Sequence, residues 1–247
     1  MLNLEEFFRR TPKAALAFSG GTDSALVLWA AKRCGCDVRA YYVKTAFQPE
    51  FEYRDALRLA RELDVPMTTV EVDILALRPA ADNGPQRCYH CKRALFSHLR
   101  EAARRDGYAV LLDGTNASDD AGDRPGMRAL RELEVRSPLR ECGLTKDDVR
   151  RLSKEAGLFT WDKPAYACLA TRIPTGTAIT APDLERVERA ESALHALGFR
   201  DFRVRLFQGL ARVQVPAEQM PLALERREEV LSALENFDGA VLDLQGR

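Results

Sequence analysis

The stretch AALAFSGGTDSALVLWAAKR at residues 14–33 constrains this chain more than any other, because a short apolar run meets a glycine turn and the turn opens a helix. Residues 14–18 are apolar and are followed at once by Ser19, Gly20 and Gly21, the pattern of a buried strand ending in a tight turn. Ala25, Leu26, Val27, Leu28, Trp29 and Ala30 then run without a break, so the helix is expected to be buried on most sides, as beside a parallel sheet. Strand, Gly-Gly and helix bring free backbone N–H groups and the positive end of a helix dipole to one point, where a phosphate or pyrophosphate can sit. Ser19 and Ser24 can add hydroxyl donors, and Asp23 beside an anion makes most sense when a divalent metal bridges the two. The Walker pattern and the G-x-G-x-x-G pattern are both absent, so two commoner nucleotide sites lose support. The plain alternative is a glycine turn that only packs a helix on a strand.

Further strands are predicted at 38–43, 67–72 and 109–113, with a helix at 49–63 and another helical stretch before the fourth strand. That alternation specifies an α/β fold, a parallel sheet with helices on both faces, whose ligands gather at the carboxyl ends of the strands. The loop LDGTNASDD at 112–120 falls at such an end, where Gly114, Thr115 and Asn116 are candidates to hydrogen-bond a nucleotide; otherwise it is a polar turn. The basic, glycine-punctuated stretch at 122–139 either binds an anion or is solvated. A capped helix is predicted over 145–157. An irregular loop, WDKPAYACLATRIPTG at 161–176, follows it and contains Cys168. From residue 180 the pattern becomes helix (182–197), strand (202–207), strand (211–215), helix (218–234) and strand (240–244), a small α+β domain. Two domains are therefore expected, 1–176 and 177–247. Arg203 and Arg205 alternate with Phe202, Val204 and Leu206, so both guanidiniums leave one strand face. A phosphate between them, with Arg212 of the next strand joining, is the sharp reading, and a solvated face the bland one.

Charge excludes some partners. The 37 Lys and Arg balance 37 Asp and Glu, so nothing advertises a polyanion, and no nucleic-acid partner is expected. No apolar stretch approaches the roughly 20 residues that span a bilayer, and the mixed-charge N-terminus is unlike a signal peptide; no membrane partner is expected, and the expected location is the cytoplasm. In a reducing compartment, six cysteines with one C-x-x-C point to metal or sulfur chemistry more than to disulfides. Cys88 and Cys91 sit between Pro85 and a helical run expected from about Ala94. They can share a metal, exchange as a dithiol, or be unrelated. With Cys168 they could hold a cluster by three thiolates with one open iron. Standing alone, a cysteine flanked by small apolar residues is usually buried and inert.

SGGTDS at 19–24 resembles the pyrophosphate loop of the N-type ATP pyrophosphatases, which split ATP into an adenylate and pyrophosphate. With RCYHCK, LDGTNASDD, RPGMRA, SPL, LTK, WDKPAYACLATRIPTG, RVRLF and ARVQV following in order, nearly the whole chain is similar to the LarE-type ATP-dependent sulfur transferases of nickel-pincer cofactor biosynthesis. The resemblance implies a Rossmann-like, twisted parallel sheet of the pyrophosphate-loop type. It implies ATP at Ser19, Gly20, Gly21, Asp23 and Ser24 with Mg2+, Glu134 being a further candidate metal ligand. It also implies adenylation of pyridinium-3,5-biscarboxylic acid mononucleotide, a small-molecule nucleotide substrate. The thiolate matching Cys168 would attack the activated carbonyl and finally become dehydroalanine. Arg203 and Arg205 would hold the substrate phosphate. A second form of the family uses a 4Fe-4S cluster with an extra sulfide, which Cys88, Cys91 and Cys168 would suit. A homo-oligomer is implied. The rivals are a tRNA thiolase or another adenylating enzyme with the same loop, and an ATP-sensing module without turnover.

Overall fold

The computed structural model describes residues 3–119 and 125–247. Residues group into two compact units, one formed by the chain up to Asp73 together with Cys88–Lys163, the other by Ile74–Arg87 together with Pro164–Arg247.

The first unit contains α1 (Leu4–Arg10), β1 (Lys13–Ala17), α2 (Thr22–Arg33), β2 (Asp37–Lys44), α3 (Glu50–Glu62) and β3 (Met67–Glu71). After the crossing through α4 (Arg78–Ala81) of the second unit come α5 (Arg87–Arg105), β4 (Leu111–Leu112), α6 (Pro125–Glu132), α7 (Pro138–Glu141) and α8 (Lys146–Glu155). The four strands are all parallel, in the order β3-β2-β1-β4. The pleat sorts their side chains. Ala14 and Leu16 join Val38, Ala40, Tyr42 and Leu112 on one face, where Phe7 and Phe8 of α1, Leu26 and Leu28 of α2, Leu59 of α3 and Val149 of α8 complete the core. Ala15, Tyr41 and Leu111 turn to the other face and meet Leu99, Ala102 and Ala103 of α5. A sheet covered on both faces explains why β1 reads as a continuous apolar run. It also explains α2, which buries Ala25 through Leu28, Ala30 and Ala31 as its unbroken apolar sequence requires.

Two expectations in this unit need correction. The helix expected from about Ala94 begins at Arg87, so Cys88 and Cys91 lie in its first turns. The segment RCYHCKR lacks apolar spacing, and contacts support it instead: Tyr89 Oη donates to Glu132 at 2.7 Å and the Arg128 guanidinium lies 4.1 Å over the Tyr89 ring. The fourth strand pairs over only two residues of the five expected.

In the second unit, a short 3-10 turn (Leu169–Arg172) precedes α9 (Ala181–Ala196), β5 (Arg203–Phe207), β6 (Leu210–Gln214), α10 (Met220–Glu225), α11 (Arg227–Ala233) and β7 (Ala240–Leu242). β5 and β6 form an antiparallel hairpin, β7 adds parallel to β6, and α9 packs on β5. The single helix expected over 218–234 is two. Pro221 sits in the first turn of α10, and the chain breaks at Arg226, at φ −97° and ψ 31°, where the guanidinium donates to Leu197 O at 2.6 Å.

Candidate functional site

At the end of β1, Ser19, Gly20 and Gly21 turn the chain into α2. Gly20 has φ +71°, and a Cβ there would stand 3.0 Å from the backbone N and Cβ of Ala56 on α3, so the turn and the close approach both demand glycine. Gly21 is the N-cap of α2 and supplies no side-chain cap, so the first N–H groups of the helix are left for a ligand at its positive end. Ser24 Oγ folds back over the turn, lying 3.1 Å from Ser19 Oγ and donating to Gly21 O at 3.2 Å. Backbone donors with two hydroxyls at an uncapped helix start fit a pyrophosphate group.

The loop after β4 seals one side of this turn. A Cβ on Gly114 would lie 2.8 Å from Ser24 N, so only glycine lets the two backbones meet. Asp113 is buried and organises the loop, accepting from Thr115 N at 3.1 Å, Thr115 Oγ1 at 2.5 Å and Ser137 Oγ at 2.6 Å. Asn116, also buried, donates from Nδ2 to Asp23 Oδ1 at 2.9 Å and accepts from Ser118 N at 2.8 Å. Ser118 Oγ accepts from Lys146 N at 2.9 Å, and Lys146 Nζ lies 2.5 Å from Asp23 Oδ2. Asp23, Asn116, Ser118 and Lys146 therefore close a ring of hydrogen bonds beside the glycine turn.

Lys146 is a site residue that motif spacing alone does not mark. Its signal was the capping box of Thr145 and Asp148, which fixes Lys146 at the first position of α8, a helix that packs on α2. Another tie comes from Thr22 Oγ1, which donates to Thr160 O at 2.6 Å, while Lys163 Nζ pairs with Asp55 Oδ2 on α3 at 2.7 Å.

Ser19, Gly20, Gly21, Asp23, Ser24, Gly114 and Asn116 are thus gathered around one turn, with Thr115 bonded into the adjoining loop. Asp120 and residues 122–124, part of the polar loop and the basic stretch, lie outside the described residues. Glu134 is exposed in the turn after α6, at φ +54°. Glu134 lies two residues before Arg136, which bridges Leu112 in parallel. Cys88 is exposed and Cys91 half-buried. Among the described residues no three His, Cys, Asp or Glu side chains form a group that could hold a metal ion.

In the second unit, Cys168 is half-buried and caps the 3-10 turn. Each predicted arginine has protein partners. Arg203 is buried and donates to Phe202 O at 2.7 Å and Ala165 O at 2.9 Å. Arg205 donates to Gln214 Oε1 at 2.7 Å and Thr171 O at 2.6 Å. Arg212, opposite Arg205 in the hairpin, pairs with Asp243 at 2.5 Å. Burial, then Arg172, then Arg205 hold the Arg203 guanidinium below its ordinary range, and burial, Arg172 and Arg212 do the same for Arg205. Cations that destabilise one another gain from an added anion, and a guanidinium with five N–H groups has donors beyond those used here.

No helix among the described residues is long and apolar enough to cross a membrane. No protein-family profile matches the chain. It is 38% identical over 253 residues to an uncharacterized protein of Synechocystis, covering 99% of this chain and 93% of the relative. It is 34% identical over 238 residues, 95% of this chain and 86% of the relative, to the pyridinium-3,5-bisthiocarboxylic acid mononucleotide synthase of Lactiplantibacillus plantarum. A tRNA-specific 2-thiouridylase of Thermotoga petrophila is 25% identical over 61% of this chain and 54% of its own length.

Proposed function

Because the chain belongs to the LarE-type ATP-dependent sulfur transferases, we propose that it converts the carboxylates of pyridinium-3,5-biscarboxylic acid mononucleotide to thiocarboxylates, with Cys168 as the source of sulfur. A carboxylate is a poor electrophile. It acquires a leaving group when its oxygen attacks the α-phosphorus of ATP and pyrophosphate departs, leaving an acyl adenylate. The uncapped start of α2, with Gly20, Gly21, Ser19 and Ser24, takes the pyrophosphate, and the Gly114, Thr115 and Asn116 loop takes the nucleoside side. Asp23 fits Mg2+ as a single carboxylate ligand, the other positions falling to phosphate oxygens and water, and bound metal would offset phosphate charge. Lys146 keeps the Asp23 charge balanced beside the polyanion.

The Cys168 thiolate then attacks the activated carbonyl carbon. A C–S bond forms and AMP leaves. Loss of the Cys168 α-proton breaks its Cβ–S bond, so sulfur stays on the substrate as a thiocarboxylate and the residue becomes dehydroalanine. The second carboxylate is thiolated by a second protein molecule with its Cys168 intact, since the first has given up its sulfur. Arg203 and Arg205 hold the substrate phosphate.

The observation that carries this reading is an uncapped glycine turn with a carboxylate and an ammonium beside it, in a chain whose Cys168 loop is lined by arginines. Intact mass before and after incubation with ATP, Mg2+ and the biscarboxylic mononucleotide tests it. The expected result is a loss of roughly 34 mass units at Cys168, as hydrogen sulfide leaves a cysteine. Thiolated product from a protein of unchanged mass would overturn Cys168 as the source. Pyrophosphate release that required tRNA, and weakened as salt rose, would replace the substrate with the one named for the thiouridylase relatives.

A further inference from the structure

The sheet order puts β2 on one side of β1 and β4 on the other, so the glycine turn after β1 has two walls. On the β4 side the Gly114 loop brings up the pair of Asp23 and Lys146. A second carboxylate and ammonium stand on the other wall, where Asp55 of α3 meets Lys163, and they have no part in the steps above. Both ends of Lys163 are tied to the turn. Thr160 O accepts the Thr22 hydroxyl at 2.6 Å and the Lys163 N–H at 3.1 Å, so the Lys163 backbone is joined through one carbonyl to the first residue of α2. Lys163 Nζ reaches Asp55 Oδ2 at 2.7 Å, and Asp55 immediately precedes Ala56, whose backbone N would stand 3.0 Å from a Cβ on Gly20. Phe51, one helical turn before Asp55, presents its ring to the same ammonium, 5.3 Å from the ring centre. The lysine side chain therefore spans from Thr22 to the residue beside Gly20.

We propose that Lys163 is a phosphate-binding residue of the nucleotide site, held ready on Asp55 and donating to the β- or γ-phosphate when ATP enters. The assignment rests on the glycine turn taking the pyrophosphate. An ammonium carries three N–H groups on a flexible stem, and Asp55 Oδ2 takes one of them, so a phosphate oxygen can be met with or without release of the carboxylate. The exchange costs little, because the Lys163 side chain is 17% exposed and that of Asp55 31%, and an ion pair that water reaches is weak. A phosphate group carrying several charges draws the ammonium more strongly than one carboxylate does. Asp55 alone would repel an incoming polyanion, and Lys163 removes that repulsion. When the bond between the α-phosphorus and its bridging oxygen breaks, the departing pyrophosphate takes the electron pair, and Lys163 is placed to offset that charge. The residue thus selects a nucleotide that carries β- and γ-phosphates and is indifferent to AMP.

The test is the dissociation constant of inorganic pyrophosphate with Mg2+, beside that of AMP, measured by isothermal titration calorimetry on the full chain at fixed salt. Lys163→Met should bind pyrophosphate roughly tenfold more weakly, the scale of one charge-assisted hydrogen bond, with AMP within about twofold of the parent. That variant also strands the Asp55 charge, so the deciding comparison is made on Asp55→Asn. Asp55→Asn alone should hold pyrophosphate at least as tightly as the parent, and adding Lys163→Met to it should weaken binding by about tenfold or more, because no carboxylate then competes for the ammonium. Each variant is checked for a cooperative melt, and where Lys163→Met alone does not fold, Asp55→Asn with and without Lys163→Met decides. An Asp55→Asn protein that loses pyrophosphate as Lys163→Met does would make the pair a brace for α3 and overturn the proposal. Equal losses for pyrophosphate and AMP would do the same, as would an unchanged constant in both backgrounds. A parent that binds neither ATP nor pyrophosphate would overturn the reading of the turn itself, and the proposal with it.

Discussion

Gly114→Ala offers a direct test of how the nucleotide turn is built. Gly114 does not lie in the left-handed region, so alanine meets no conformational penalty and the effect isolates one contact. The new Cβ would stand 2.8 Å from Ser24 N and 3.2 Å from Ser24 Cα, where ordinary contact begins at 3.4 Å. Both neighbours are backbone in the first turn of α2 and cannot swing aside, so the loop or the helix start must retreat by about 0.6 Å. Overpacking of this kind costs about 1–3 kcal/mol, a fall in melting temperature of roughly 2–12 °C. The same retreat separates Asn116 from Asp23 and misplaces the phosphate donors. Displacements near 1 Å can cost on the order of 100-fold, so an ATP-dependent rate roughly tenfold lower is expected. Differential scanning fluorimetry and pyrophosphate release measured over ATP concentration report the two effects. Gly84→Ala is the control, since a Cβ there meets nothing within 4 Å; it should be neutral or slightly stabilising. A Gly114→Ala protein that melts and binds ATP like the parent would refute the close approach, and one that melts early but turns over normally would refute the loop's part in the site.

Three further outcomes follow from other parts of the fold. Lys146→Gln should raise the ATP concentration needed for half-maximal pyrophosphate release by about tenfold while changing the melt by under about 1 kcal/mol, because the Asp23 pair is partly exposed; equal KM values would remove Lys146 from the site. The Asp148 carboxylate is held below its usual range first by the Thr145 hydroxyl, then by the Thr145 N–H and Arg151. Its contribution to stability is therefore present above the ordinary carboxylate value and lost as pH falls through the lowered one. Asp148→Asn should melt below the parent at pH 7 and converge with it in acid, and a gap independent of pH would contradict that sign. Cys36 and Cys142 are pushed up to about 11, by burial first and then by Asp37 and Glu141 respectively, so iodoacetamide at pH 8 should label exposed Cys88 and leave both untouched until the protein unfolds.

The sheet and its glycine turn were legible because their signals are local: an apolar run for each buried strand, two glycines for the turn, and a capping box for α8. What escaped depends on contacts between distant residues. Lys146 reads as an ordinary first-turn lysine until α8 is packed on α2 and its ammonium meets Asp23. Alternation put Arg203 and Arg205 on one strand face, but not the carbonyl groups they hold across the second unit. The polar start of α5 lacked the apolar spacing that marked the rest of that helix, and the break at Arg226 is set by a bond to Leu197 O, 29 positions earlier.

The segment Ile74–Arg87 has a consequence for how the chain is made. It interrupts the first unit in sequence but belongs with the second. Buried Asn83, at φ +55°, sends its amide to Pro174 O at 2.9 Å and Thr177 O at 3.0 Å, and Ile179 N bonds back to Ala81 O at 2.7 Å. On the ribosome this strap emerges about 90 residues before its partners, several seconds at ordinary synthesis rates. During that interval β4, at Leu111–Leu112, follows β1 to β3, while the strap still has nothing to bind. A nascent chain arrested near residue 160 should therefore be protease-sensitive within 74–87 even where the residues on either side are protected, and cutting the gene just before the irregular loop would leave the strap permanently without its other half.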